Sequence, residues 1–218
     1  MENRNNEFLS SFSPFNHEFS LGNWLKDTFL DCLSFYSYSR NIKSYIKNLD
    51  NITFEAFSDP FSVVIISNTS IKNHVATLIL HIYLYDKLII KTIHWAINIT
   101  ITETKLFAIC CSINQAIGIS NVKCIVIITN FIYATRKIFD LSMHPYQIYY
   151  TAIFQELRVF FMKNVNNCIK FWDCPSKLKW PLHSLVDNNT RSFNSTPNYL
   201  CKLSWNFCKK CDCNSIIV

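Results

Sequence analysis

Four cysteines near the C-terminus, Cys201, Cys208, Cys211 and Cys213, flank Lys209-Lys210 and include the Cys-x-x-Cys spacing with which tetrahedral zinc sites are built. The second pair is spaced Cys-x-Cys and no histidine lies nearby. The expectation is therefore an unstructured tail rather than a zinc knuckle. Cys110 and Cys111 fall in a helical pattern, where buried thiols act as small hydrophobes. The aromatic clusters Tyr146-Tyr149-Tyr150 and Phe160-Phe161, with Trp172 and Trp180, could stack on bases, but their helical spacing favours a core role. Lys202, Lys209 and Lys210 could meet phosphate, although a solvated basic tail is the simpler expectation.

The elements that would position any such chemistry are legible from Val63 onward. Val63 to Ser67 is a short β-branched run suited to a central strand buried on both faces, with Asn68 just after it. Ser70 to His74 reads as a polar break. Val75 to Leu84 and Leu88 to Ile97 then form a strand pair around Tyr85-Asp86-Lys87, a hairpin without glycine. Leu106, Ile109, Ile113 and Ile117 recur at helical spacing, with Thr102 as the expected N-cap. Cys124 to Thr129 is a strand and Asn130 to Phe139 is helical in pattern. After His144-Pro145 comes a longer helix in which Tyr149, Ile153, Leu157 and Phe160 share one face. Cys168 to Trp172 is the last strand, and a loop then carries Asp173 to His183.

Three meandering strands, a helix, a strand, helices and a strand predict a five-stranded mixed α/β sheet, three strands antiparallel and two parallel, with helices on its faces. The expected organisation is an N-terminal connector over 1–60, closed by Asp59-Pro60, one domain over 61–190, and a tail over 191–218. A chain of 218 residues, 50% hydrophobic, suits one core of useful size. Its net charge of +6 favours a polyanionic partner, but with 17% charged residues the field is modest. No stretch resembles a secretion signal, and the most apolar segment, Ala76 to Ile97, is broken by His81, Asp86, Lys87, Lys91 and His94. The expectation is a reduced, intracellular, monomeric protein of nucleus or cytoplasm, without membrane contact or small-molecule substrate. The sequons at Asn51, Asn68, Asn98, Asn188 and Asn194 are then fortuitous.

That element order, together with the segments Ile66 to Asn73, Thr102 to Ile109, Ile113 to Ala116, Ile125 to Asn130 and Phe171 to Ser176, resembles the ribonuclease H-like domain of fungal non-LTR retrotransposon reverse transcriptases. Met143 to Gln147 and Trp180 to Asp187 resemble the same family. The resemblance implies that Asn68, Lys105, Asn130 and Asp187 occupy four catalytic positions. In active members carboxylates there hold two magnesium ions about 4 Å apart, which cut the RNA strand of an RNA–DNA hybrid. It also implies a role for His183 in product release or proton transfer, beside the equal expectation of a plain surface or loop histidine now that the acids are missing.

Magnesium demands charged oxygen ligands. Of the four positions only Asp187 is acidic, and the two asparagines, one lysine and one aspartate sum to zero charge. An ammonium at Lys105 repels cations in a low-dielectric cleft. Glu103 is about 200° round the helix from Lys105 and faces elsewhere. Asp173, just after a strand, is the better substitute acid, but one carboxylate cannot replace three, and before Cys174-Pro175 it reads as a turn residue. The expectation is a degenerate, inactive copy whose only remaining metal ligand is Asp187; the alternatives are a non-catalytic module binding RNA–DNA hybrid and an active nuclease with an unorthodox site. Two glycines in 218 residues, against roughly 7% in ordinary chains, fit the same picture, since Asp to Asn, Glu to Lys and Gly to Ser are single changes toward A and T in a codon.

Overall fold

The computed structural model describes residues 32–38, 41–97, 99–131, 147–192 and 216–217. The helix expected from Asn130 to Phe139, the His144-Pro145 break and the terminal cysteines lie outside the described residues.

The chain order is β1 (Leu33–Tyr36), α1 (Ile42–Ser58), β2 (Ser62–Lys72), β3 (Val75–Leu84), β4 (Lys87–Ile97), α2 (Ile101–Ile117), β5 (Cys124–Thr129), α3 (Gln147–Lys163), β6 (Cys168–Asp173), a 3-10 turn (Ser176–Leu178), α4 (Pro181–Ser192) and β7 (Ile216–Ile217). All the strands among the described residues join one sheet in the order β1-β6-β5-β2-β3-β4-β7. β2, β3 and β4 form the antiparallel meander, whereas β5 runs parallel to β2 and β6 parallel to β5. The expected five strands are therefore present. Two more extend the edges: β1 pairs in parallel with β6, and two residues of β7 pair with β4.

Residues before Asp59 were expected as irregular connector, but they supply β1 and α1. Asn41 caps α1 by accepting from the Ser44 amide at 3.1 Å, and Tyr45, Leu49, Ile52 and Ala56 turn one face into the core. Trp180 reaches back to this helix, its indole N–H donating to Asp50 at 2.8 Å.

Alternation in the central strands divides the core. Val63 and Ile65 of β2, Ile125 and Ile127 of β5, and Ile169 and Phe171 of β6 pack with Leu106, Ile109 and Ile113 of α2 and Ile153, Leu157 and Phe160 of α3. The alternate residues Val64, Ile66, Val126, Ile128 and Trp172 pack on the other face with Tyr45, Leu49 and Ala56 of α1 and Val186 of α4. Burial on both faces is why these strands read as unbroken apolar runs. Trp172, Trp180, Phe160 and Phe161 are all buried, and so are Cys110 and Cys111.

β2 continues through the expected polar break to Lys72, placing Asn68 inside the strand. The turn is instead the pair Asn73-His74, both at positive φ, as are Tyr85-Asp86 in the next hairpin. Such two-residue turns twist with the strands they join, and glycine normally fills them. Here four side chains accept left-handed backbone at about 1 kcal/mol each.

Helix α2 starts two residues earlier than expected. Thr100, not Thr102, is the N-cap: its hydroxyl accepts from the Glu103 amide at 3.2 Å while the Glu103 carboxylate accepts from the Thr100 amide at 2.8 Å. This reciprocal pair is a capping box. Thr100→Ala is expected to cost about 1 kcal/mol, read as a lowered urea midpoint; an unchanged midpoint would contradict the cap's role.

Candidate functional site

The C-terminal ends of β5 and β6, the middle of β2 and the helix α4 meet at one end of the sheet. Asn68 projects from β2 with 3% of its surface exposed, and its side-chain N–H donates to Asp187 Oδ1 at 2.8 Å. Asn130, just past β5, donates to Asn68 Oδ1 at 3.4 Å and to Ser176 Oγ at 3.3 Å. The other oxygen of Asp187 meets Arg191 one turn later, at 2.7 Å. That pair is largely solvated and contributes little stability.

Asp187 and His183, expected in or just beyond a loop, both stand on α4, which Pro181 begins. Proline suits a first helical position because its missing N–H has no partner there anyway. His183 is buried rather than on a surface or loop, and its Nε2 has no hydrogen-bond partner among the described residues. Burial favours its neutral form and lowers its pKa, against the opposing pull of Asp187.

Lys105 reaches the same end of the sheet from α2. Its ammonium lies 4.8 Å from the centroid of Phe131, the residue after Asn130. Burial lowers the Lys105 pKa, and the Asp173 carboxylate opposes that shift. Asp173 is thus more than the expected turn residue: it ends β6 opposite Thr129, and the Tyr45 hydroxyl donates to its carbonyl. Glu103 is committed to the capping box. Asn68, Asn130 and Asp187 are therefore joined directly, while Lys105 meets Phe131, next to Asn130, and is under the influence of Asp173.

The donor set decides what could be held here. An amide N–H, not an oxygen, faces the Asp187 carboxylate from Asn68, and Lys105 supplies a tethered cation beside Asp173. Counting Asp173, Asp187, Lys105 and Arg191, the charges cancel. Paired divalent ions call for several carboxylates to offset their charge as they lose water, and this group offers two, Asp173 and Asp187. Ser176 was missed as a member of the group, whereas Asp173 was weighed as a substitute acid from its position at a strand end, where open α/β sheets gather functional residues.

α4 is held to the sheet a second time. His81 of β3 lies between the Tyr83 hydroxyl, 3.2 Å from its Nδ1, and the Asn189 amide, 3.3 Å from its Nε2. With Asn189 as donor, the ring is neutral and carries its proton on Nδ1. Desolvation, with help from Lys91, lowers the His81 pKa to about 4, and desolvation alone lowers that of His94 to about 4. In the unfolded chain both titrate near 6.5. Between those values the unfolded chain binds more protons, so stability is highest above pH 6.5 and falls as the pH drops toward 4. The expected loss between pH 7 and pH 5 is about 3–4 kcal/mol for the two together, measurable by guanidinium unfolding at each pH. A flat profile would contradict the buried neutral rings.

No family model matches this chain, and no curated protein matches it in sequence. Its fold is similar to that of the prototype foamy virus protease-reverse transcriptase, with a TM-score of 0.50 and 12% identity over 64% of this chain and 22% of the viral one. The chain thus spans about a fifth of that protein. Lower overlaps occur with the RNase H1 of the halophilic archaeon Halobacterium salinarum, at TM-score 0.44, 7% identity, 60% of this chain and 97% of that one. LC11-RNase H1, solved with an RNA/DNA hybrid, gives TM-score 0.42 and 11% identity over 53% of this chain and 87% of its own. The architecture, a three-strand meander continued by parallel strands with helices on both faces, is the ribonuclease H-like α/β fold. Among the described residues no helix is long and apolar enough to cross a membrane.

Proposed function

We propose that this chain is a ribonuclease H-like domain derived from a retroelement reverse transcriptase, in which the metal-dependent cleavage of RNA–DNA hybrids has been lost. One observation carries the reading: the Asp187 carboxylate is already satisfied by the Asn68 amide and the Arg191 guanidinium. Lys105 adds a cation at the same end of the sheet, where the Asp173 carboxylate favours its charged form. A site neutralised by its own side chains has no need of magnesium, and its amides cannot ready a water molecule for attack.

The net charge of +6 leaves room for a second reading, a module that still binds hybrid without cutting it. One experiment separates these. The full chain is incubated with a labelled RNA–DNA hybrid and magnesium or manganese, and both cleavage and binding are followed across a salt series. No turnover is expected. Binding that weakens steeply with salt, still without turnover, favours the second reading; turnover abolished by Asp187→Ala overturns both.

A further inference from the structure

At the other end of the sheet, cysteines from neighbouring strands converge. Cys124 opens β5 and Cys168 opens β6, and the parallel register sets them opposite one another. Adjacent strands lie about 4.8 Å apart, within the roughly 4.4–6.8 Å Cα separation that a disulfide spans. As register partners on adjacent parallel strands, the two side chains lie on the same face of the sheet, and each shifts the other's titration. Both are partly exposed thiols. A cleft of about 400 Å³ opens onto the pair and is bordered by Glu55, Asp59, Lys123 and Lys170. Two cations and two carboxylates beside two thiols suit a small zwitterionic peptide carrying a disulfide.

The two sulfurs are not equivalent. The hydrogen bond from Cys168, together with the Lys170 ammonium, brings the Cys124 thiol down to about 7, despite its burial. The same hydrogen bond and burial push Cys168 upward. Cys32, just before β1, stands on the far side of Cys168 with its thiol 3.5 Å from the Val165 carbonyl.

The structure assigns Cys124 and Cys168 as a thiol–disulfide exchange site, with Cys124 the attacking sulfur, Cys168 the resolving one, and a small peptide disulfide the oxidant. The Cys124 thiolate attacks one sulfur of that disulfide. A bond forms between them as the oxidant's S–S bond breaks, and the departing thiolate takes up a proton. Cys168 then gives its proton to solvent and attacks the Cys124 sulfur, closing the cross-strand bond and expelling the second small thiolate, which is protonated in turn. Two protein thiols become one disulfide, and one small disulfide becomes two thiols. The new bond staples β5 to β6 at their starts, beneath the strand ends that present Asn130 and Asp173. This site is independent of the proposed loss of nuclease activity.

Oxidised glutathione is the probe. The full chain is exposed to it, quenched in acid, alkylated, digested and mapped by mass spectrometry. Among the described cysteines the dominant product is expected to be a Cys124–Cys168 linked peptide, reversed by dithiothreitol, with a rise in Tm of about 10 °C. Cys168→Ser is expected to stop at a glutathione adduct on Cys124, and Cys124→Ser to slow adduct formation on Cys168 at least about tenfold relative to it. The wild-type linkage stands as a readout if either variant fails to fold. A Cys32–Cys168 link in its place, adducts forming at equal rates in the two variants, or a folded chain whose Cys124 stays unmodified while the urea-unfolded chain reacts would each overturn the assignment.

Discussion

The triple variant Asn68→Asp, Lys105→Glu and Asn130→Asp is expected to make stability and activity depend on magnesium. In the present site the Asn68 amide donates to Asp187, and Lys105 answers Asp173. The three changes remove that donor and that cation and gather acidic groups in a half-buried cleft. Without metal, their repulsion is expected to cost several kcal/mol at the low effective dielectric of such a site. Magnesium then has a ligand set of the right chemistry. At a hundredfold excess over its dissociation constant it should return about 2.7 kcal/mol, seen as a rise in Tm absent from the wild type. Cleavage of hybrid should appear at a partial level, because His183 and α4 were not re-optimised for it. A variant that folds well, ignores magnesium and stays inert would count against these four positions.

Phe171→Ala is expected to produce the largest loss of stability from a single change, about 3–5 kcal/mol. Phe171 is fully buried in β6, the strand that joins β1 to β5, and its ring stacks on Phe35 at 5.2 Å. Truncation opens a cavity on the face covered by α2 and α3, and it removes the partner that anchors the short edge strand β1. Asp173 lies two residues further along, so the candidate site should loosen with it. Guanidinium unfolding gives the number directly; a loss below about 1 kcal/mol would show that the core can close over the gap.

What the sequence made legible was whatever local periodicity determines. The both-faces-buried strands β2 and β5 are unbroken β-branched runs, and the face of α3 that packs inward, Ile153, Leu157 and Phe160, recurs at helical spacing. The edges were harder. β1 has four residues and β7 two, too short for any period to register. In α1 the inward positions Tyr45, Leu49, Ile52 and Ala56 do follow helical spacing, but Phe54 is 73% exposed and Thr53 is buried, which blurs the contrast between faces.

The site divides the same way. Thr100-Ile101-Thr102-Glu103 spells a capping box, so the true start of α2 was readable two residues earlier than Thr102 implied. His183 and Asp187 looked like loop residues because Pro181 and the polar run Asp187-Asn188-Asn189 disguise a helix whose buried positions are only His183, Val186 and Thr190. The bond from Asn68 to Asp187 spans 119 residues, and the influence of Asp173 on Lys105 crosses from one element to another. No local pattern encodes such contacts. They follow from the sheet order, which brings the ends of β5 and β6 beside the middle of β2.

The central claim is that this cleft is neutralised by its own side chains and does not hold paired divalent cations. Paramagnetic broadening by manganese, followed residue by residue in the NMR spectrum of the full chain, tests it most directly. The account predicts no selective loss of the signals of Asn68, Asn130, Asp173 and Asp187 as manganese is raised to millimolar levels. Selective broadening of that group at micromolar manganese, abolished by Asp187→Ala, would contradict it.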